Sequence, residues 1–307
     1  MNPTIPAADA VVRLSPSSRQ RAQRALSGAA GVLKREPIVL VATVILVIMT
    51  FLAVFSPLLT RTDYERTAPR ERLEAPSAQH WFGTDHLGRD VFDRTIVGTR
   101  LSFLVGFSVT AISTVIGTVV ALVIGYSRLL DNIAMRFVDG LLAFPTILLA
   151  LALIALLGPS ITNVIIALSI TGTASKIRLV RGAVLTLRES LYVESARSIG
   201  AGVPRILFLH IAPNTFGLVL VQATFTLAAT ILAEASLSFL GAGVPPITPS
   251  WGNIIAAGHG RVQTAIWISF FPGVFLTLLV LAVVLIGDSL RDHLDPRLRN
   301  RLAKENQ

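Results

Sequence analysis

YVESARSIGAG, residues 192–202, is a short polar stretch lying between long apolar ones. It carries Glu194 and Arg197, ends in Gly200 and Gly202, and is followed by Pro204. Its meaning depends on what surrounds it. Of the 307 residues, 52% are hydrophobic and 15% charged, and the mean hydropathy is +0.68. Soluble domains average about 25% charge. That deficit, with several apolar runs near the roughly 20 residues that cross a bilayer, argues against a soluble protein with large buried helices. It predicts an all-α, polytopic membrane protein. A polar, glycine-broken helix between two spans then reads as a segment held outside the bilayer.

Working outward, residues 1–37 are polar and basic, rich in Ser, Pro and Ala, and are expected to be partly without fixed structure. The run Ile38–Leu59 is too long for a signal-peptide core, and no small-residue cleavage site follows it. It reads as a retained first span over 38–59. A polar segment, 60–96, comes next. Further apolar runs near 101–125, 137–157, 160–175, 215–240 and 267–287 bring the total to six spans, of which 160–175 is short and polar-edged. A core of 97–288 and a tail of 289–307 complete the layout.

The net charge of +9 tests the orientation. With the N-terminus inside, most of the 27 Lys and Arg residues fall in the N-tail, in 126–136, in 176–214 (Lys176 among them) and in the C-tail. That is the positive-inside pattern, with both termini cytoplasmic and 60–96 extracytoplasmic. No RNA-binding aromatic motif or zinc-finger spacing accompanies the charge, so nucleic acid is not an expected partner.

Within the spans, Ser113, Gly117, Ala121 and Gly125 recur every fourth residue. Small side chains on one helix face let a second helix pack closely. Asp139 and Glu234 lie in or near apolar runs and are candidates for a gate or pathway; the alternative for Glu234 is a structural hydrogen bond across helices. No G-x-x-x-x-G-K-[ST] occurs, since no glycine precedes a lysine, so the chain has no P-loop for nucleotide phosphates. There are no cysteines, the five histidines are scattered, and no G-x-S-x-G elbow is present. No cofactor is expected in this chain. An ion-coupled secondary transporter is the serious rival, but no convincing internal repeat supports it.

Energy must then come from a partner, and the opening stretch is where one would dock. Read as a helix, Glu189–Ile199 puts Leu191, Ser195 and Ile199 on one face, with Tyr192 and Ala196 beside them. Glu194, Arg197 and Ser198 lie near the opposite side. Gly200 is placed to end the helix in a left-handed conformation. Pro204 is placed to open a second short helix, which Pro213 limits before the fifth span. The alternative is an amphipathic helix lying on the membrane surface.

The spacing Glu194-Ser195-Ala196-x-x-x-Gly200, followed by His210-Ile211-Ala212-Pro213, resembles the EAA loop of bacterial ABC-importer permeases. Ser195 stands for the first alanine, and Ile-Ala-Pro for the family's I-x-L-P-like element. FGTDHLGRDVFDRTIVGTRLSF (82–103), ILAEASLSFLGAGVPPITPSWGNII (231–255) and FFPGVFLTLLVLAVVLIGDSLRDHLDPRL (270–298) are similar to segments of the dipeptide, oligopeptide and nickel permeases. The likeness runs from about residue 35 to 299 and is to the C-type, shorter-loop subunit of the usual pair. It implies the ABC type I permease fold in the bacterial inner membrane, with 189–213 as a cytoplasmic coupling loop. Glu194, Ala196 and Gly200 match the family's positions there; Tyr192, Ser195, Arg197 and Ser198 are the expected neighbouring contacts. The implied partners are a second homologous permease, two P-loop ATPase subunits that bind ATP-Mg, and an extracytoplasmic substrate-binding protein. The implied cargo is small peptides, with nickel complexes, glutathione or another small solute as alternatives.

Overall fold

The computed structural model describes residues 37–60 and 64–294. Both expected tails therefore lie outside the described residues, apart from Pro37 and 289–294, which are helical. Two compact units divide the chain, 1–40 and 41–307. Among the described residues, the second unit holds every helix except the opening turn of the first.

Nine helices order the described chain: α1 (Pro37–Leu59), α2 (Val91–Tyr126), α3 (Arg128–Leu142), α4 (Thr146–Leu157), α5 (Ile161–Arg188), α6 (Leu191–Ser198), α7 (Ala212–Phe239), α8 (Trp251–His259) and α9 (Trp267–Leu294). A helical turn at Val203–Arg205 and a π-helical turn at Ile206–Ile211 lead directly into α7. Five helical segments are long and apolar enough to cross a membrane: α1, α2, α5, Val203–Phe239 and α9. The helices α3 and α4 pass the same test only together, as a pair bent by 89° between them: a broken sixth span or a re-entrant loop. Exposed Val115, Ile116, Val119 and Val123 along α2 are what a lipid-facing surface needs.

The helix bounds differ from the apolar runs, each for a local reason. The second span starts at Val91, not near 101, because Asp90 caps it: its carboxylate accepts from the N–H groups of Phe92 (2.8 Å) and Asp93 (3.1 Å). The 137–157 run is not one helix. Pro145 has no N–H and disfavours helical backbone at Phe144, so α3 stops at Leu142 and α4 starts at Thr146. The short 160–175 run is a 28-residue helix, α5. It continues past its apolar edge because its charges find partners: Arg178 pairs with Asp139, Arg181 with Asp131, and Arg188 donates to the Gly125 carbonyl (3.1 Å). Pro213 does not limit the helix before the fifth span. The π turn widens the backbone just where the Pro213 ring would meet a carbonyl, and the chain runs on as one helical segment.

The bundle is organised by α2, which packs chiefly on α5 and α7, while α7 also packs on α9. Ser113 and Ala121 are fully buried, and Gly117 and Gly125 are buried with them. A Cβ on Gly117 would sit 2.7 Å from the Cβ of Lys176, and one on Gly125 2.8 Å from Cγ1 of Val184. The small-residue stripe is thus the seam against α5.

The two ends of α2 carry different structures. At the Val91 end, residues 64–90 fold against the 241–266 region and the start of α9. Arg94, itself buried, donates to the carbonyls of Tyr64 (3.3 Å) and Pro246 (3.4 Å). The indole N–H groups of Trp251 and Trp267 donate to the carbonyls of Thr95 (3.0 Å) and Thr84 (3.2 Å). Phe82 stacks on Phe271 at 3.9 Å. Gly88, at φ +75°, turns so close to Ala68 that a Cβ would strike its carbonyl. The Tyr126 end, about 54 Å away along a 36-residue helix, carries α6.

Gly117→Val should lower stability by about 1–3 kcal/mol, because it wedges α2 from α5. Gly140→Ala in α3, where an added Cβ meets nothing within 4 Å, should be neutral or stabilising by up to about 1 kcal/mol. Thermal unfolding of the detergent-solubilised variants checks both signs.

Candidate functional site

The α6 helix is held by two buried residues. Val193 and Ala196, three apart, face the bundle, and Val193 joins the cluster of Val180, Val184, Ile206 and Ile211. Its end is a Schellman motif: Ala201 N–H donates to the Ala196 carbonyl (3.0 Å) and Gly200 N–H to that of Arg197 (3.0 Å). Gly200 takes φ +86° in open space, so its backbone angle and not crowding calls for glycine.

Everything else on the helix points outward. Glu194, Ser195, Arg197 and Ser198 are exposed, with Leu191 at 81% and Ile199 at 86%. Two large apolar side chains are thus left bare, one on a polar helix and one at its C-cap. The Ser195 and Ser198 hydroxyls donate back to the carbonyls of Leu191 (2.9 Å) and Glu194 (3.1 Å). Tyr192 reaches the His210 carbonyl at 3.4 Å, and Asn214 donates to the same oxygen at 2.6 Å. The Tyr192 bond ties α6 to the π turn that feeds α7. The Arg197 guanidinium lies 5.9 Å from the centre of the Tyr126 ring. Beside it opens a groove of about 530 Å³ lined by Tyr126, Arg128, Arg188, Glu189, Glu194 and Arg197. Of the residues expected to face a partner, Ala196 alone is turned inward: it is an anchor of the helix, because its position three residues from Val193 places it on the buried face.

The two carboxylates expected as gate or pathway candidates, Asp139 and Glu234, each have a partner. Asp139 accepts from Arg178 at 2.5 Å, both side chains being half exposed, and together with Asp131–Arg181 it fastens α3 to α5. Glu234 is fully buried. Its Oε1 accepts from Ser238 Oγ (2.8 Å), four residues on in the same helix, and that hydroxyl accepts from the Val244 N–H (3.2 Å). Glu234 therefore braces the loop after α7. Gly241 begins that loop at φ +78°.

A second cavity, of about 280 Å³, lies between α5 and α7. Its α5 wall is Leu168, Thr171, Gly172, Ser175 and Lys176; its α7 wall is Gln222, Phe225, Thr226, Ala229, Thr230 and Ala233; Thr146 adds to the rim. Glu234 is not among them. Lys176 is 2% exposed, and its Nζ donates to Thr226 Oγ1 at 3.0 Å. By charge alone Lys176 belongs with the basic residues of an inner loop; the structure places it near the middle of α5. The available signal is the spacing of the polar residues, Thr171/Ser175 and Gln222/Thr226/Thr230 at i, i+4 steps, which marks one polar face on each helix.

Comparison with known proteins agrees with this architecture. Residues 113–300 match the family described as binding-protein-dependent transport system inner membrane component. Residues 27–76 match the N-terminal TM domain of oligopeptide transport permease C. The dipeptide transport system permease protein of Alkalihalophilus pseudofirmus is 42% identical over 269 residues, 87% of this chain and 88% of that one. The oligopeptide transport system permease protein of Bacillus subtilis is 39% identical, over 85% of this chain and 86% of its own. The glutathione transport system permease protein of Escherichia coli is 40% identical, over 87% and 88%. The chain belongs to the binding-protein-dependent transport system inner membrane components, in the branch that carries the oligopeptide permease C type of N-terminal transmembrane domain.

Proposed function

We propose that this chain is one of two homologous permease subunits of an ATP-driven importer for small peptides. The observation that carries the proposal is α6: a helix anchored by two side chains, ended by a left-handed glycine, and otherwise bare. It serves as the coupling helix, seated in a cleft of a cytoplasmic ATPase through Leu191, Tyr192, Glu194, Ser195, Arg197 and Ser198. The ATPase pair binds ATP-Mg; this chain contributes the contact that turns closure of the pair into motion. The path for that motion is short. Displacing α6 pulls on the Tyr192–His210 bond and on the packing of Val193 against Ile206 and Ile211, and so on the π turn at the foot of α7. A π turn is a helix segment with spare width, able to change its pitch. Since α7 forms one wall of the 280 Å³ cavity, tilting it opens or closes that space.

On this reading α6 and the termini are cytoplasmic. The 64–90 and 241–266 regions, at the other end of α2, face the binding protein that delivers the peptide. Peptides are the favoured cargo because relatives named for dipeptides and oligopeptides align over nearly nine-tenths of the chain. The relative named for glutathione, itself a tripeptide, fits the same class.

Gly200→Pro cannot adopt φ +86° and should abolish peptide uptake by the assembled complex, with the chain still inserted in the membrane. Glu194→Arg should lose uptake and ATPase co-purification together. Wild-type uptake by either stably inserted variant overturns the coupling role. The chain has no cysteine, so introduced thiols report topology cleanly. A membrane-impermeant thiol reagent added outside intact cells should label Ala78→Cys and spare Ser195→Cys; the reverse pattern inverts the orientation.

A further inference from the structure

We propose that Lys176 is a substrate-binding residue, whose ammonium receives the C-terminal carboxylate of the peptide as it crosses the cavity between α5 and α7. The proposal rests on the reading of this chain as a peptide permease.

Three observations converge on it. The first is placement. Lys176 is the sixteenth of 28 residues in α5, about 23 Å from the helix start, and is almost wholly withdrawn from solvent. A cation at such a depth is costly, and it persists where an anion or a pathway uses it. The second is the missing counter-charge. Arg178, Arg181 and Arg188 on the same helix are each answered by a carboxylate, a backbone carbonyl or both. Lys176 has Thr226 Oγ1 as its hydrogen-bond partner, and among the described residues it forms no ion pair. Glu234, the one buried acid of α7, is turned to Ser238 and does not line the cavity. The third is the company Lys176 keeps. Thr171, Ser175, Gln222, Thr226 and Thr230 line the same space. A carboxylate entering it meets one cation and a set of hydroxyl and amide donors, the combination that replaces the water it leaves behind. The space for the lysine stem comes from Gly117: a Cβ there would lie 2.7 Å and 2.9 Å from Cβ and Cγ of Lys176.

A purely structural lysine, tethering α5 to α7 through Thr226, is the competing explanation. It differs in what it selects. A tether affects all cargo equally, whereas a carboxylate site affects only cargo that carries one.

The test is uptake by the complete transporter, reconstituted in liposomes with internal ATP and with its binding protein saturated by each ligand in turn. Three ligands are compared: a labelled tripeptide with a free C-terminus, its C-terminal amide, and an amide whose central residue is glutamate. The wild type should favour the free acid over the plain amide by about tenfold, the value of one charge-assisted hydrogen bond. Lys176→Met should bring that ratio close to one, and Lys176→Arg should restore most of it. Because the ratio is taken within one preparation, partial loss of folded protein leaves it unchanged. Efficient uptake of the glutamate-containing amide, again lost in Lys176→Met, would assign the subsite to peptide carboxylates at large and overturn the restriction to the C-terminus. A Lys176→Met ratio equal to the wild type's, or a fall in both ligands alike, overturns the site while leaving the peptide permease intact. No uptake of any peptide by the wild-type complex overturns the peptide reading, and this proposal with it.

Discussion

The close approach of α2 to α5 is the constraint on which the rest of the molecule depends. It is made possible by Ser113, Gly117, Ala121 and Gly125, whose small side chains remove the bulk between the two backbones. In a bilayer, lipid tails are as apolar as leucine, so helices gain little from burying grease and much from fitting backbones together. The seam fixes α5 in both position and rotation. Rotation decides which of its residues turn toward α3, which toward α7 and which toward the lipid.

Charge placement follows from that rotation. Arg178 and Arg181 are presented to Asp139 and Asp131, and Arg188 to the last turn of α2. These contacts bring the break between α5 and α6 to the Tyr126 end of α2 and hold α6 beside it. Lys176, two positions from Arg178, is turned the other way, toward Thr226 and the cavity. One helix thus carries cations of two kinds: those that assemble the bundle, and one that faces the space within it.

The long helix α2 separates two regions of different make-up. At its N-terminal end, indoles, a buried arginine and stacked phenyl rings bind 64–90 to 241–266 and the start of α9, chiefly through bonds to backbone carbonyls. At its other end, ion pairs and an apolar cluster that takes in Val193 hold the helices, and the attached α6 is mostly exposed. In the proposed orientation, bonded outer loops and an exposed α6 suit a subunit whose outer loops present a fixed surface and whose inner helix is moved by another protein.

Much of this was legible in the residues. Long apolar runs announce membrane helices because the bilayer leaves backbone polar groups no other partner. The four-residue recurrence of small side chains announces a packing seam, and Gly200 after a polar helix announces a left-handed end, since both are consequences of local geometry. The sequence by itself thus determined the class of protein, the helix seam and the left-handed end of α6. The tertiary structure decided what depends on direction and distance. The later charges of α5 find partners across the bundle, so α5 outlasts its apolar run. Only a neighbour four residues away and a following loop link Glu234, through Ser238, to the loop after α7. Only the rotation set by Gly117 draws Lys176 out of a count of loop charges and into a cavity. Hydropathy averages over a window and is blind to which side of a helix a residue occupies; packing is what chooses the side.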